Sequence, residues 1–569
     1  MNLTLRLLFI GMLCLSSVVC FSQQTSEPGI VRVKLKEAYA RNVVSTRLAY
    51  GQFGLKNIDD AAKQVGVKAV KRIFRESGKF EKAHRAFGLH LWYEIAFDEK
   101  VAVSEALKTY KKLVEFEIVE DKKKIFAIEP IQEQRGSEPV PQTISGTTND
   151  PRFNLQWHYK NTGQSGGTPG ADISLVQAWA VQTGSPDVIV AVIDGGIDVN
   201  HPDLAGSMWI NDDEVPGNSI DDDGNGYVDD IYGYGFGDNT GTIRPNFHGT
   251  HVGGTIAAVT NNEVGVSGIA GGSGSANGVR LMSCAGFGDF GTGGFEDAMV
   301  YAADNGAVIS QNSWGGGSQA IEDAIDYFIA RAGYDNSEDN FDDNVQIGPM
   351  AGGLVIFAAG NSNTDSPAIG YPASYAPVMA VASTDHSDVR SYFSNYGSWV
   401  DIAAPGSNVY STYPVSLGSY EYLSGTSMAC PHVSGVAALI ISEFQGAGLD
   451  PNQVWDRLEG TADNIDEQNP SYVDRLGAGR VNAFQALQTE DEIPPAAITN
   501  LTVSAPLLTS VKLTWTAPGA SDMEGAASAY EIRYSTSEIT AANFSSATLA
   551  PNIPKPQGAG AVELFEVAG

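Results

Sequence analysis

Three runs of apolar residues in the middle of the chain predict its central elements. Residues 188–193 and 354–359 contain no polar side chain, which is typical of short strands buried on both faces of a parallel sheet. Residues 436–441 are also apolar and follow residues 425–435 without a charged side chain, which predicts a helix buried on every side and starting near Ser427. Strands alternate with helices as far as Leu458, so the fold class is α/β with a doubly wound parallel sheet.

A polar residue stands at the end or the start of each of these elements. Asp194 follows the first strand and Asn361 the second, and open parallel sheets place their sites at the carboxyl ends of strands. Ser427 begins the buried helix, where free backbone N–H groups would face any negative charge that develops beside its hydroxyl. His248 begins another tightly packed helix, and the positive end of that helix should keep its imidazole neutral and ready to accept a proton.

Ordinary structural roles compete with this interpretation. Ser427 could only cap its helix, and His248 could be a packed core histidine. Asp194 and Asn361 could be turn residues. Zinc catalysis is a further alternative because His248 and His251 are three residues apart, but no glutamate lies between them and no third ligand is evident. The serine nucleophile is the stronger hypothesis.

Four motifs make the chain resemble the subtilisin-like serine proteases. They occur in one order: V-I-D-G-G-I-D from Val192, H-G-T-H-V-G-G from His248, A-A-G-N from Ala358 and G-T-S-M-A-C-P-H-V-S-G from Gly425. The resemblance covers about residues 150–488. It implies a catalytic triad and an oxyanion amide, in the family's chain order. The residues so implied are Asp194, His248 and Ser427 for the triad and Asn361 for the amide.

Two glycine-bearing stretches match the family's segments that sandwich an extended substrate. Residues without bulk let two backbones approach and exchange N–H and C=O bonds, as in β-augmentation. Both stretches could equally be plain turns, so the resemblance carries this assignment. The predicted substrate-binding residues are Gly291, Thr292, Gly293, Ser313, Trp314 and Gly315.

The start of the chain predicts export. With 569 residues the chain is too long for one core, so several domains are expected. Within residues 1–22, Arg6 is followed by a largely apolar run over residues 7–19. This pattern predicts a signal peptide that is too short to span a bilayer. A lipid-anchored start at Cys14 or Cys20 is a weaker alternative. No later stretch approaches eighteen apolar residues, so we expect a secreted mature protein without a transmembrane segment.

Charge divides the chain. Residues 23–135 hold 22 Lys and Arg against 16 Asp and Glu, whereas the residues after 135 hold 12 against 51. Exported members of the family carry a small α+β pro-segment here, which assists folding and inhibits until it is removed, and opposite charges would support its docking. We therefore predict a pro-segment over residues 23–130, with strands at 30–35, 91–97 and 114–119 and a helix from Ser104. A solvated basic domain with its own role is the alternative, and nucleic acid is a poor partner for so acidic a body.

Residues 131–149 contain repeated prolines, glycines and paired threonines, which predicts a linker where processing would occur. The peptidase domain is expected over residues 150–488. Its acidic insertion at 335–344 is interpreted as a surface loop of unknown purpose. Its two cysteines, Cys284 and Cys430, could form one disulfide or stay free, since proximity does not follow from sequence.

An acidic loop predicts a calcium site. Five carboxylates within residues 221–230 would repel one another strongly unless water or a cation neutralises them. Alternating oxygen ligands in a glycine-kinked loop suit calcium, although the bidentate glutamate of an EF-hand is absent, and an open acidic loop is the alternative. The family resemblance implies a second calcium site at Asp203 and Asn262, completed by backbone carbonyls. The ligands predicted in the acidic loop are Asp221, Asp223, Asn225, Asp229 and Asp230.

The last part of the chain predicts a β-sandwich. After an acidic boundary with Pro494 and Pro495, residues 501–503, 511–515 and 530–534 alternate like antiparallel strands, and their aromatic residues resemble a fibronectin type III domain over 494–569. Such a sandwich needs about seven strands and the sequence offers about five. We expect an incomplete domain, with any surface-sorting or anchoring segment beyond residue 569.

These features together predict a secreted, calcium-supported serine endopeptidase that acts on proteins or peptides and is made as a precursor inhibited by its own pro-segment. A convertase that processes one partner and an inactive extracellular binding protein with the same fold are the alternatives. The intact catalytic positions argue against the inactive form. The preference of the specificity pocket does not follow from the sequence.

Overall fold

The structure is a computed structural model that describes residues 26–131, 148–274, 277–488, 498–504, 510–519, 527, 530–537, 539–540, 543–550 and 553–568. The predicted signal peptide, with Cys14 and Cys20, and most of the predicted linker lie outside the described residues. The chain divides into two compact units, Met1–Leu487 and Gln488–Gly569.

The larger unit begins with an antiparallel α+β part, residues 26–131, called here the N-terminal part. Its four long strands have the order β2-β3-β1-β4. Val31, Val33 and Ile95 alternate with polar residues and pack beneath the helices, as the period of two in the sequence predicts. The three strands and the helix predicted here are confirmed. The elements are β1 (Ser26–Leu35), α1 (Glu37–Ala40), α2 (Ser45–Leu48), α3 (Lys56–Val65), β2 (Val67–Arg72), α4 (Glu81–Ala86), β3 (Trp92–Phe97), α5 (Val103–Tyr110), β4 (Phe116–Lys123) and β5 (Phe126–Ala127).

The central part, residues 148–488, is built on a seven-stranded sheet. The elements are α6 (Leu175–Ala178), β6 (Ile189–Gly195), β7 (Gly233–Tyr234), α7 (Phe247–Ala257), β8 (Arg280–Phe287), α8 (Phe295–Asp304), β9 (Ile309–Asn312), β10 (Trp314–Gly315), α9 (Gln319–Arg331), β11 (Leu354–Ala358), β12 (Met379–Thr384), β13 (Ile402–Pro405), β14 (Val409–Thr412), β15 (Tyr420–Leu423), α10 (Thr426–Phe444), α11 (Pro451–Gly460) and α12 (Ala483–Ala486). The sheet order is β13-β12-β11-β9-β6-β8-β7, and every neighbouring pair is parallel. This confirms the predicted parallel α/β fold.

Both faces of the sheet are covered, which explains the unbroken apolar strands. Val190 and Val192 of β6 pack into a core with residues of α7 and α10. Ala191 and Ile193 point to the other face and pack with residues of α8 and α9. A strand buried on both faces has no position that favours a polar side chain until it ends.

Among the described residues, α10 alone is long and apolar enough to cross a membrane, and 89% of its apolar window is buried inside the fold. Helices buried on all sides have this composition because every face meets the core. Cys430 of α10 and Cys284 of β8 are free thiols and fully buried. Burial raises the pKa of Cys430 to about 12, because a thiolate there would be desolvated.

The described residues of the smaller unit form two antiparallel sheets, one of three strands in the order β16-β17-β20 and one formed by β18 and β19. The assignment to fibronectin type III stays a prediction. The strands are β16 (Thr502–Ser504), β17 (Ser510–Thr516), β18 (Arg533–Tyr534), β19 (Thr548–Leu549) and β20 (Val562–Ala568).

Candidate active site

Asp194 and His248 meet at the carboxyl edge of the sheet. Asp194 lies near the end of β6, and its two carboxylate oxygens are 2.8 and 2.9 Å from Nδ1 of His248. His248 sits in the first turn of α7, and the Asn246 side chain caps this helix by accepting from the His248 backbone N–H. A Cβ on Gly249 would lie 2.1 Å from the carbonyl oxygen of Gly195, so only glycine lets the helix approach the strand this closely.

Burial and the carboxylate act in opposite directions on His248. Burial alone would lower the pKa of His248, but the charge and hydrogen bond of Asp194 raise it, and the net pKa lies above its ordinary value. Glu129 and the Ile128 carbonyl of the N-terminal part add to the increase. The sequence analysis expected the helix end to keep this imidazole neutral. The facing carboxylate acts in the opposite direction, because it favours the imidazolium.

Ser427 and Asn361 are held together by the start of α10. The backbone N–H and the hydroxyl of Thr426 both donate to Oδ1 of Asn361, each at 2.9 Å. These bonds fix the amide so that its Nδ2 faces the cleft, where it donates to the carbonyl oxygen of Glu129 at 3.0 Å. Thr426 therefore orients the predicted oxyanion donor.

The nucleophile and the base both face the N-terminal part. The hydroxyl of Ser427 donates to the carbonyl oxygen of Ile128 at 3.1 Å. Nε2 of His248 is buried and makes no hydrogen bond with any described residue. The structure thus brings the four predicted catalytic residues to one edge of the sheet, with a peptide of the same chain in front of them.

That peptide, residues 126–131, is called here the cleft segment. Its first two residues form β5, which pairs antiparallel with β10, Ala127 opposite Trp314 and Phe126 opposite Gly315. A Cβ on Gly315 would lie 2.8 Å from the Phe126 ring, so the missing side chain permits this approach. At the other end, the N–H of Ile131 donates to the carbonyl of Ser424 at 2.7 Å.

The two predicted substrate-binding stretches differ in their contacts. Trp314 and Gly315 hold an extended peptide as the sequence analysis expected, and the adjacent Ser313 hydroxyl donates to the Ser427 carbonyl at 3.2 Å. The stretch Gly291–Thr292–Gly293 runs back antiparallel against the end of β8, where Thr292 bridges to Phe287 and the Gly293 N–H donates to the Gly286 carbonyl at 3.0 Å. Its role in substrate binding stays a prediction.

The acidic loop brings three carboxylates together. Glu214, Asp221 and Asp223 each offer an oxygen atom, and these atoms lie within 4.8 Å of one another. Three carboxylates at this separation repel one another strongly and form a set of hard oxygen donors, which fits calcium. Sequence reasoning missed Glu214, although the acidic run at 212–214 directly before the loop was a usable signal.

The other predicted ligands of this loop have different partners. Asp229 accepts from the backbone N–H groups of residues 217–219, so it closes a turn. Asp230 is fully buried and accepts from the Tyr301 hydroxyl and the Asn225 amide, at 2.6 and 3.0 Å. Burial raises the pKa of Asp230 to about 6. The structure does not bring Asp229 or Asp230 into the group of three.

The second predicted calcium site is filled by hydrogen-bond donors. Asp203 is fully buried and accepts from the Asn262 amide at 2.9 Å, from the Val266 N–H at 2.8 Å and from the Tyr420 hydroxyl at 3.1 Å. Burial raises the pKa of Asp203 to about 6. Asp203 and Asn262 lie together as predicted, but their facing groups are donors, and calcium binding there stays a prediction.

Buried charges join the N-terminal part to the central part. Burial alone would lower the pKa of Arg32, but Glu296 and Glu94 raise it. The acidic insertion also contacts the N-terminal part, because the Glu338 N–H donates to the Lys79 carbonyl at 2.8 Å. The charged or polar pairs across this contact include Arg32 with Glu296, Lys34 with Asp323 (2.7 Å), His84 with Asp304 (2.7 Å), Lys82 with Asp342 (2.7 Å) and Lys79 with Asp223 (3.2 Å).

Comparisons with known proteins agree with the geometry. A family model described as "Subtilase family" matches residues 185–479, and one described as "N-terminal of Subtilase family" matches residues 40–163. Thermitase of Thermoactinomyces vulgaris is 37% identical over 319 residues, which are 56% of this chain and 94% of that protein. A halolysin-like extracellular serine protease of Natrialba magadii is 35% identical over 322 residues, 55% of this chain and 50% of that protein.

One solved structure also matches over most of the chain. It is fervidolysin from Fervidobacterium pennivorans, described as a keratinolytic enzyme related to subtilisin, with 19% identity and a TM-score of 0.53. The match covers 96% of this chain and 76% of that one. At this identity the likeness supports the fold alone.

Proposed function

This chain belongs to the subtilase family of serine endopeptidases and carries the family's N-terminal pro-segment, and from that premise we propose that it is a secreted endopeptidase made as a precursor inhibited by its own N-terminal part. Ser427 is the proposed nucleophile, His248 the base, Asp194 its orienting carboxylate and Asn361 an oxyanion donor. The alternative of zinc chemistry has no support in this family assignment.

The proposed reaction follows from the positions of these groups. Ser427 attacks a peptide carbonyl carbon, and its proton passes to Nε2 of His248, which then gives it to the leaving amine. Asp194 bonds Nδ1, so it fixes the tautomer that leaves Nε2 free to accept, and it stabilises the imidazolium that forms. The Asn361 amide and the Ser427 N–H would bind the negative oxygen, and water would then hydrolyse the acyl-enzyme.

One observation carries the proposal more than any other. The cleft segment lies in extended form against β10, and its Glu129 carbonyl accepts from the amide of Asn361. A peptide carbonyl directed at the predicted oxyanion donor, beside Ser427 and His248, is the arrangement that peptide hydrolysis requires.

The same contact supports inhibition by the N-terminal part. The cleft segment occupies the place where a substrate would lie, and the buried pair of Arg32 and Glu296 joins the two parts away from the cleft. The acidic insertion adds the Lys82–Asp342 pair and thereby has a role as a docking surface. Substrate access would therefore require removal of the N-terminal part.

Calcium is the proposed structural cofactor. Glu214, Asp221 and Asp223 would supply carboxylate oxygens, and the ion would remove their mutual repulsion and hold the loop in its folded form. None of these residues takes part in the proposed reaction. Secretion is proposed from the predicted signal peptide, and the relative from Natrialba magadii is described as extracellular.

Replacement of the nucleophile tests the proposal. We expect Ser427→Ala to abolish hydrolysis and labelling by a fluorophosphonate, and to leave the precursor uncut if processing is autocatalytic. Label that persists on the alanine variant would assign the nucleophile to another residue. Cleavage of a peptide library by the wild-type mature form would then distinguish a broad endopeptidase from a convertase that acts on one sequence.

A further inference from the structure

The cleft segment is held in one register by contacts on both sides of Ser427. Before it, β5 pairs with β10, and Ile128 is buried among core residues. After it, the N–H of Ile131 donates to Ser424 at 2.7 Å. These contacts place one peptide bond, Glu129–Pro130, at the proposed reaction centre.

The hydrogen bonds of the two candidate carbonyls identify this bond. The Glu129 carbonyl oxygen accepts from Nδ2 of Asn361 at 3.0 Å, so it occupies the proposed oxyanion position. The Ile128 carbonyl oxygen instead accepts from the Ser427 hydroxyl, which is a hydrogen bond to oxygen and not an approach to the carbonyl carbon. The bond presented for attack is therefore the one that follows Glu129.

The nitrogen of this bond belongs to a proline. In an ordinary peptide the leaving nitrogen carries a hydrogen and can turn its lone pair toward the imidazole as it is expelled. Pro130 carries its ring Cδ in place of that hydrogen, and the ring fixes φ and crowds the preceding residue. Nε2 of His248, which has to deliver the proton, makes no hydrogen bond with any described residue.

We propose that Pro130 makes the cleft segment a substrate-like occupant whose presented bond resists cleavage, so that the precursor is opened by a cut at a different bond. The inference rests on the proposed function, since it takes Ser427, His248 and Asn361 in the roles given above. It goes further by naming the bond in the site and the residue that protects it.

The protected step is an ordinary acyl transfer. The Ser427 oxygen forms a bond to the Glu129 carbonyl carbon, and the bond from that carbon to the Pro130 nitrogen breaks. The hydroxyl proton goes first to Nε2 of His248 and then to the leaving nitrogen, after which water frees the acyl-enzyme. Misplacement of a reacting group by about 1 Å costs roughly a hundredfold in rate, and we expect an effect of this scale where a ring carbon stands in place of the N–H at the nitrogen to be protonated.

The test compares Pro130→Ala with the wild type in the full-length chain. Alanine restores the N–H and removes the ring, so we expect cleavage at residue 129 to accelerate roughly a hundredfold or more, with a new N-terminus at residue 130. Intact mass and N-terminal sequencing over a time course give the site and the rate. Pro169→Ala, which changes an exposed proline of the central part, is the matched control and should process as the wild type does.

Three results would overturn the inference. One is a wild-type mature form that begins at Pro130. Another is Pro130→Ala with no terminus at residue 130, in a preparation that hydrolyses peptides. A third is cleavage after Ile128 in either protein. Pro130→Ser serves the same comparison if the alanine variant does not accumulate.

A combined variant separates this inference from the proposed function. Pro130→Ala in the Ser427→Ala background should show no cut at residue 129. A cut that persists there would refute Ser427 as the nucleophile, whereas a cut that never appears in active Pro130→Ala refutes only the role of the proline.

Discussion

The catalytic centre and the contact between the N-terminal and central parts both bury charged groups, but they use them for different ends. At the centre, the Asp194 carboxylate faces His248, and these residues lie at the end of β6 and at the start of α7. At the contact, Arg32 of β1 faces Glu296 of α8, and the two are 264 residues apart in sequence. In the proposed function, the first arrangement controls a proton, and the second joins two parts that separate when the enzyme matures.

This difference between a catalytic pair and a docking pair predicts how each region should respond to mutation. A group that acts on a transition state can be lost with little effect on folding, because its contribution appears only during turnover. A buried charge that loses its partner stays desolvated without compensation, which lowers the stability of the folded state even when no substrate is bound. Mutations at the centre should therefore change rates, and mutations at the contact should change docking.

The largest effect on docking should come from Arg32→Gln. It leaves the Glu296 carboxylate buried without its cation, and loss of one partner from a buried pair costs about 3–5 kcal/mol. Measured in the Ser427→Ala precursor, we expect an added protease to cleave residues 26–131 much faster and the melting temperature to fall.

A matched surface pair gives the control for Arg32. Lys63 pairs with Asp60 at 3.2 Å on the exposed face of α3, where water screens both charges, so Lys63→Gln should change stability little. Arg32→Met combined with Glu296→Met should recover much of the loss, because neither member of the pair is then left as an unpaired charge, and Glu94, the other partner of Arg32, keeps Lys71 and Lys122. If Arg32→Gln and Lys63→Gln resisted the protease equally, the buried Arg32–Glu296 pair would not be what holds the two parts together.

Asn361→Ala should give the next effect, mainly on rate. Loss of one oxyanion donor costs about 2.7–4 kcal/mol in the transition state, a scale known from subtilisin itself, so turnover should fall roughly a hundredfold to a thousandfold. The protein should still fold, with a lower melting temperature because the N–H and hydroxyl of Thr426 lose their acceptor. Thr426→Val keeps the amide but removes one of the two bonds that orient it, and should lose less activity. Unchanged turnover of Asn361→Ala would exclude the amide from the mechanism.

Calcium should give the smallest of the three effects, at an acidic loop that Lys79 of the N-terminal part contacts in the precursor. An ion at a hundred times its dissociation constant stabilises the folded state by about 2.7 kcal/mol. In the mature enzyme, inhibited to prevent self-digestion, chelation should lower the melting temperature. Asp223→Asn should cost stability in calcium but little or nothing in chelator, because it then relieves repulsion among Glu214, Asp221 and Asp223.

The matched variant for calcium is Asp229→Asn, because Asp229 closes a turn through backbone N–H groups. It should destabilise the protein to the same extent with and without the ion. If calcium changed the melting temperature of neither the wild type nor Asp223→Asn, the acidic loop would be a solvated surface without a metal site.

The central elements were predictable because their causes are local. The apolar run at 188–193 lies on a strand observed at Ile189–Gly195, and the nucleophile helix begins at Thr426, one residue from its predicted start. Burial on both faces forces such patterns, and the catalytic motifs stand at the ends of these elements.

What the sequence did not predict depends on residues far apart in the chain. Glu214 joins Asp221 and Asp223 only because the loop folds back on it. The raised pKa of His248 reflects Asp194, and also the pro-segment's Glu129, whose approach no local pattern indicates. The pairing of Arg32 with Glu296 needs the docking of two parts, which charge counts indicate in sign but not in position.

The two buried thiols can report how often the folded chain opens. Outside the predicted signal peptide, the sequence has two cysteines, Cys284 and Cys430, and neither is exposed. An alkylating reagent can therefore modify them only when the structure opens, so the rate of alkylation measures the frequency of opening. Cys430 donates to Gln311 at 3.2 Å and lies one turn after Ser427, so its alkylation reports the separation of the nucleophile helix from β9, while Cys284 reports on β8.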